Sequence, residues 1–280
     1  LFGKLGPMTR KTISLATAAT VLFFLVTALL IRSWLQVTLQ QHGFNRTLAA
    51  DVSYLVVPLI LLVTIAPLWR EIGPSLKFQF RYSDLSPNLL GKALLLGLLM
   101  RVIWWAQLTV GVALGWYASD TVSPQAEPLF AFQCPDVTSV VIGIAVMTLL
   151  VPIIEECISR GILQTAAMKF GATFAIVLST SVFALLHTSD QWGFTIVAGL
   201  VFGFLFWATH SLWASLFTHA AYNGMTILDW RCLSAQWNPA PETLPLTTIG
   251  SFATLLLLLL IGASALILCS MVTEAREAPR

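Results

Sequence analysis

A chain of 280 residues that is 57% hydrophobic and only 10% charged, with a mean hydropathy of +0.84, is too apolar to be a soluble domain. Soluble domains carry about 25% charged residues. The formal net charge of +2 is too small to suggest a nucleic-acid partner. Several apolar runs approach the ~20 residues that cross a bilayer as a helix. The ~10-residue alternating segments of a membrane barrel are absent. The expected fold class is therefore all-α, a polytopic membrane protein of about eight transmembrane helices.

In chain order, Lys4, Arg10 and Lys11 precede a first span over 12–31, closed by Arg32. That run is longer than the apolar part of a secretory leader and no small-residue cleavage site ends it, which argues against removal. A loop with His42, Arg46 and Asp51 leads to a second span over 52–69, kinked at Pro58 and Pro67. The connection 70–92 is polar and basic. A third span, 93–117, carries Arg101 inside it, where snorkelling or an acidic neighbour would accommodate the charge. The loop 118–136 is acidic and lacks Lys and Arg.

A fourth apolar segment, 137–170, is longer than a crossing needs and is expected to tilt or break near Pro152. Spans over 171–187, 193–210, 211–229 and 246–271 complete the set. In the sixth, Gly199 and Gly203 form a GxxxG face suited to close helix packing. His210 reads as interfacial. The division expected is 1–136 for the N-terminal helices, 137–230 for a catalytic core and 231–280 for the last helix and tail, all one membrane domain. The excess of Lys and Arg at the N-terminus, in 70–92, at Lys169 and in the tail puts both termini in the cytoplasm. Compact loops suggest a bacterial inner membrane. The four cysteines form no CxxC pair, and spacing alone does not argue for a Cys134–Cys232 disulfide.

The stretch Val151-Pro152-Ile153-Ile154-Glu155-Glu156-Cys157-Ile158-Ser159-Arg160 puts two carboxylates and a guanidinium in an apolar segment. Each charge costs roughly 2.5–3.5 kcal/mol on insertion scales, so it persists only with a partner or a task. On a helix the two glutamates point about 100° apart. Arg160 comes four residues after Glu156, the favourable order for an ion pair. Glu155 is then the freer carboxylate, suited to general-base work. The alternative is a structural clamp stitching helices together. Later segments supply His187, four residues after Phe183, and the i,i+4 pair His219 and Asn223 on one helical face. Taken singly, His187 reads as an interfacial residue and the His219/Asn223 pair as an interhelical clasp.

Together these residues fit two chemistries. Glu155, His187 and His219 could hold zinc and polarise water, although no paired-histidine motif such as HExxH is present and Asn is a poor ligand. In a metal-free site, Glu155 and His187 would activate a water while His219 and Asn223 donate to the oxyanion of the tetrahedral intermediate. The metal-free version is preferred, with no cofactor. A non-catalytic scaffold or transporter is the rival class, but the inverted repeats typical of transporters are not visible.

EExxxR, FxxxH and HxxxN, in this order on consecutive apolar segments, resemble the CAAX protease and bacteriocin-processing (CPBP/ABI) family. Its best-known member is the eukaryotic Ras-converting CAAX endopeptidase. The matching residues are Glu155, Glu156 and Arg160, then Phe183 and His187, then His219 and Asn223, within about 151–223. The resemblance implies an eight-helix intramembrane glutamic endopeptidase acting on a membrane-anchored protein or peptide. It also implies Glu155 and His187 as water activators, His219 and Asn223 as the oxyanion hole, and Glu156 and Arg160 as supports. Ser159 departs from the aromatic residue often found before the arginine and leaves more room beside Glu155. At ~1.5 Å per residue, the expected site depths point to the outer half of the bilayer. The family's CAAX-processing members face the cytoplasm instead.

Overall fold

The computed structural model describes residues 13–44, 46–81, 86–115, 141–187, 191–227 and 246–277. Cys134, Cys232 and the acidic loop 118–136 lie outside them. The described residues contain no strand. They form α1 (Leu15–Gln41), α2 (Arg46–Tyr54), α3 (Val56–Ile65), α4 (Trp69–Gln79), α5 (Pro87–Ala113), α6 (Val141–Phe170), α7 (Ala172–Leu185), α8 (Trp192–Thr209), α9 (Leu212–Ile227) and α10 (Leu246–Glu277). Six stretches are long and apolar enough to cross a bilayer: Leu15–Gln41, Leu48–Gln79, Pro87–Trp104, Val141–Phe170, Trp192–Thr209 and Thr254–Glu274. Each of the eight expected spans is largely helical over its described residues. However, α7 and α9 have 14 and 16 residues, so they rise roughly 21 and 24 Å, short of a ~30 Å hydrocarbon core. Phe23, Leu30, Trp34, Leu62, Val63 and Leu266 are each two-thirds or more exposed. An apolar surface of this kind faces lipid, and the chain is an integral membrane protein.

Two apolar cores organise the bundle. One joins α1, α3, α4 and α6 through Val21, Leu25, Val57, Ile72, Ile154 and Ile158. The other joins α5, α8, α9 and α10 through Leu96, Phe202, Leu205 and Met271. Side chains of α6 reach across to the second group by hydrogen bonds. Arg160 Nη2 donates to the Gly199 carbonyl (3.1 Å) and, one turn on, Gln164 Nε2 donates to the Gly203 carbonyl (2.8 Å). The GxxxG glycines permit this approach. A methyl group on Gly199 would meet Thr180 at 2.9 Å, and one on Gly203 would meet Gln164 and Ile176.

Polar clasps fix which ends share a face of the bundle. Lys92 near the start of α5 pairs with Glu274 near the end of α10 at 2.7 Å. The start of α1 meets α4 through Thr17 and Glu71 (2.6 Å), and Trp213 at the start of α9 donates to the Arg81 carbonyl. The start of α1 therefore lies with the start of α4, the start of α9 with the end of α4, and the start of α5 with the end of α10.

One expectation needs correction, and one pair of alternatives, a tilt or a break in α6, is decided. Arg46 and Asp51 do not belong to a loop: both are in α2, and Asp51 is only 1% exposed. The second crossing loses a hydrogen bond beside Leu55, because Pro58 has no N–H to bond the Tyr54 carbonyl one turn back, but Leu55 keeps helical dihedrals (φ −62°, ψ −20°). Nor does α6 break at Pro152. Its hydrogen bonding widens to π-helical turns on either side, with Val151 N–H bonded to the Val146 carbonyl and Thr165 N–H to that of Arg160. Close packing gives a direct test. A methyl group on Gly97 would collide with the Thr218 carbonyl and Ala221, whereas one on Gly91 meets nothing within 4 Å. Gly97→Ala is expected to cost about 1–3 kcal/mol and to lower the thermal midpoint in detergent, while Gly91→Ala does not lower it.

Candidate active site

The central polar group lies where α6, α8 and α9 meet. Glu156 and Arg160 form the expected i,i+4 pair, Nη1 to Oε1 at 3.2 Å, with both side chains fully buried. Arg160 also lies over the rings of Phe183 (4.6 Å) and Phe202 (5.4 Å). These contacts and the Gly199 carbonyl give the guanidinium the partners it needs in a low-dielectric interior.

His219 on α9 enters the same cluster. Its Nδ1 lies 3.0 Å from Glu156 Oε1 and its Nε2 3.7 Å from Glu155 Oε2. A carboxylate oxygen only accepts, so Nδ1 carries the proton and Nε2 faces Glu155. The imidazole stacks on Phe202 (4.8 Å, 20°) and receives the edge of Phe183 (5.9 Å, 82°), which leaves it one orientation. Glu155 differs from its neighbour in being 19% exposed rather than sealed. The 100° offset between adjacent helical residues accounts for this: one carboxylate turns to the arginine and the other toward open space.

His187 stands just past the end of α7. Its Nδ1 is 2.8 Å from the Phe183 carbonyl. That carbonyl can only accept, so the ring is held as the tautomer whose Nε2 bears a lone pair. The imidazole lies 4.7 Å from the Phe183 ring. Since Phe183 also touches His219, the two imidazoles are separated by no more than the sum of those ring distances. The structure thus brings Glu155, Glu156, Arg160 and His219 into direct contact and joins His187 to them through Phe183.

Asn223, one turn after His219, donates from Nδ2 to the Met147 carbonyl at 3.0 Å. The local backbone explains this bond. Val151 N–H has turned to Val146, and Pro152 has no N–H to offer Met147. The orphaned carbonyl takes a side-chain donor from α9 instead. Asn223 therefore has a structural task whatever else it does.

Among the other candidates, Arg101 donates to the Tyr222 hydroxyl (3.2 Å) and lies over Trp104. His210 ends α8 in the left-handed conformation, φ 55°. Among the described residues no three of His, Cys, Asp and Glu are grouped to hold a metal ion. Sequence reading passed over Tyr54, which is 4% exposed and packs in the core that includes Ile154 and Ile158. The available signal was its place one turn before Pro58, where a helix in an apolar segment must open.

Compared with known proteins, residues 137–225 match the family model described as type II CAAX prenyl endopeptidase Rce1-like. The match covers α6 through α9, the helices that carry the cluster. Neither the curated proteins nor the solved structures contain a match to the chain.

Proposed function

With an Rce1-like endopeptidase core over residues 137–225, the chain is a peptide hydrolase of the membrane, and we propose that it is a glutamic-type intramembrane endopeptidase. Its substrate is a membrane-anchored protein or peptide, cut near the anchor or the C-terminal segment. The observation that carries this reading is the buried imidazole of His219 between two carboxylates of unequal exposure. A structural clamp needs Glu156 and Arg160 alone. It gives no reason for a second, partly open carboxylate facing Nε2.

In this mechanism Glu155, with His187 Nε2, accepts a proton from water as its oxygen attacks the scissile carbonyl carbon. The carbonyl electrons move onto oxygen, and the resulting oxyanion takes hydrogen bonds from His219 and Asn223. Donation from His219 Nε2 requires a doubly protonated ring, with Nδ1–H still hydrogen-bonded to Glu156. Collapse of the intermediate breaks the C–N bond, and the leaving amine takes the proton from Glu155. No cofactor enters these steps.

Both termini are assigned to the cytoplasm of a bacterial inner membrane. Lys92 and Glu274, which share one face of the bundle, lie beside the basic 70–92 connection. Counted from Leu212 at ~1.5 Å per residue, His219 is roughly 10 Å and Asn223 roughly 16 Å from that face. His187 is farther in, at the opposite end of α7. In a ~30 Å hydrocarbon core His219 then lies in the cytoplasmic half and Asn223 at the midplane, and only His187 reaches the outer half, so these depths do not favour outer access.

The test is cleavage of an anchored fluorogenic peptide by protein reconstituted in liposomes, with products identified by mass. Asn223→Ala is expected to lower kcat about 10²–10³-fold, the usual loss of one oxyanion donor. Unchanged kcat would remove Asn223 from the chemistry and leave it a structural role that includes its bond to Met147. Chelation should leave the rate unaltered. A rate lost on chelation and restored by zinc favours the zinc-dependent alternative built on Glu155, His187 and His219.

A further inference from the structure

The two carboxylates of α6 stand on a stretch of ordinary α-helix, Val151–Glu156, between two π-helical segments, Ile144–Leu150 and Cys157–Gln164. Each π segment contains a carbonyl that is bonded by a side chain from another helix. In the first this is Met147, which accepts from Asn223 (3.0 Å). In the second it is Gly161. In an α-helix its carbonyl would take the Thr165 N–H, but that N–H is bonded to the Arg160 carbonyl. The donor that Gly161 receives instead comes from outside the matched segment: Gln79 Nε2, at the end of α4, lies 3.2 Å from its carbonyl. A carbonyl only accepts, so this bond also fixes which end of the amide is the nitrogen. The stretch that carries both glutamates is therefore gripped on either side by an amide from a different helix.

The grip at Gly161 extends to Arg160. Gln79 Nε2 also lies 3.1 Å from Thr165 Oγ1, and the Thr165 hydroxyl donates to the Arg160 carbonyl (3.1 Å). Both peptide carbonyls beside the Gly161 Cα are thus tied, directly or through one hydroxyl, to a single side chain. Gln79 is fully buried, and its Oε1 has no hydrogen-bond partner among the described residues. Gly161 admits it: a methyl group there would meet Leu76 at 2.6 Å and Gln79 Oε1 at 3.0 Å. A buried amide with an unpaired acceptor is a costly fastener, and apolar packing would join α4 to α6 without that loss. What the hydrogen bonds add is a defined geometry. Geometry matters here because the widened turn sets the rotation at which Arg160 leaves the helix. Its guanidinium must reach Glu156 Oε1 (3.2 Å) and the Gly199 carbonyl (3.1 Å) together. The same Glu156 oxygen receives His219 Nδ1 at 3.0 Å.

We propose that Gln79 is a positioning residue of this site: by holding the Gly161 carbonyl and, through Thr165, that of Arg160, it fixes the turn that aims Arg160 at Glu156, and through Glu156 the imidazole of His219. The inference rests on the reading of Glu155 as base and His219 as oxyanion donor. Gln79 acts on the rate through the backbone of α6 and makes no contact with substrate.

The experiment is a kinetic cycle in liposomes with the anchored fluorogenic peptide, combining Gln79→Met with Thr165→Val and run well below the thermal midpoint of each protein. Gln79→Met keeps the size of the side chain and removes its donors. It is expected to lower kcat about 10- to 100-fold, the effect of a displacement of about an ångström at the chemistry. KM should stay within about twofold, because no substrate contact is lost. A brace that only stabilises the fold would lower the midpoint and leave kcat parental, and that result overturns the proposal. Thr165→Val removes the hydroxyl alone and should lower kcat about threefold to tenfold. On the Gln79→Met background, where the link to the Arg160 carbonyl is already cut, it should add little. Losses that multiply independently overturn the proposal. If Gln79→Met fails to accumulate in the membrane, Thr165→Val decides: a lower kcat at constant KM supports the proposal, and a parental kcat overturns it. Glu155→Gln, measured alongside, separates the two readings. An inactive Glu155→Gln protein beside a parental Gln79→Met protein overturns this inference alone. Full cleavage by Glu155→Gln removes the base, and this inference with it.

Discussion

Glu155→Gln is expected to abolish cleavage, by about 10²–10⁴-fold in kcat, while the purified protein keeps its thermal midpoint. The substitution preserves shape and removes only the capacity to take a proton. Glu155 is 19% exposed, and its 3.7 Å separation from His219 Nε2 is longer than a hydrogen bond. His219 keeps its shorter contact with Glu156 and its stacking on Phe202. No buried charge is therefore stranded. Initial rates and thermal unfolding measured on one preparation check this, and an active Glu155→Gln protein would end the glutamic reading.

The adjacent carboxylate should behave in the opposite way. Glu156→Leu leaves the fully buried Arg160 guanidinium without its anion, a change worth about 3–5 kcal/mol of destabilisation. The thermal midpoint in detergent should drop sharply, and much of the protein should fail to accumulate in the membrane. Replacing both partners with apolar residues, Glu156→Leu with Arg160→Met, should recover much of that stability, because no charge then remains to be neutralised. Activity should not return. His219 Nδ1 would have lost the carboxylate that orients it. Two neighbouring glutamates, one turned to an open space and one sealed against a cation, thus separate activity from stability within a single helical turn.

This contrast bears on the Rce1-like match over residues 137–225, which covers the cluster but not α1 to α5. Those helices still take part in it. Gln79 of α4 donates to the Gly161 carbonyl and the Thr165 hydroxyl on α6 (3.2 and 3.1 Å), supporting the turn just after Arg160. Tyr54 packs in the same apolar core as Val151, Ile154 and Ile158 of that helix. The N-terminal half therefore braces the core along α6, even though its own sequence offers only hydrophobicity to recognise.

Local spacing along the chain was enough to determine the class of the protein and its short-range pairings. Composition and run length made this an all-α membrane chain, the i,i+4 interval set the Glu156–Arg160 pair, and GxxxG set the close approach of α8. Each depends on the helical period alone, which a linear sequence states directly. Tertiary structure decided the rest. It chose Glu156 as the nearer partner of His219, sent Asn223 to the carbonyl that Pro152 orphans, and turned Asp51 from an apparent loop charge into a buried one. These outcomes depend on the rotation and depth at which one helix meets another. Packing over the whole bundle sets both, so no interval within a single segment encodes them.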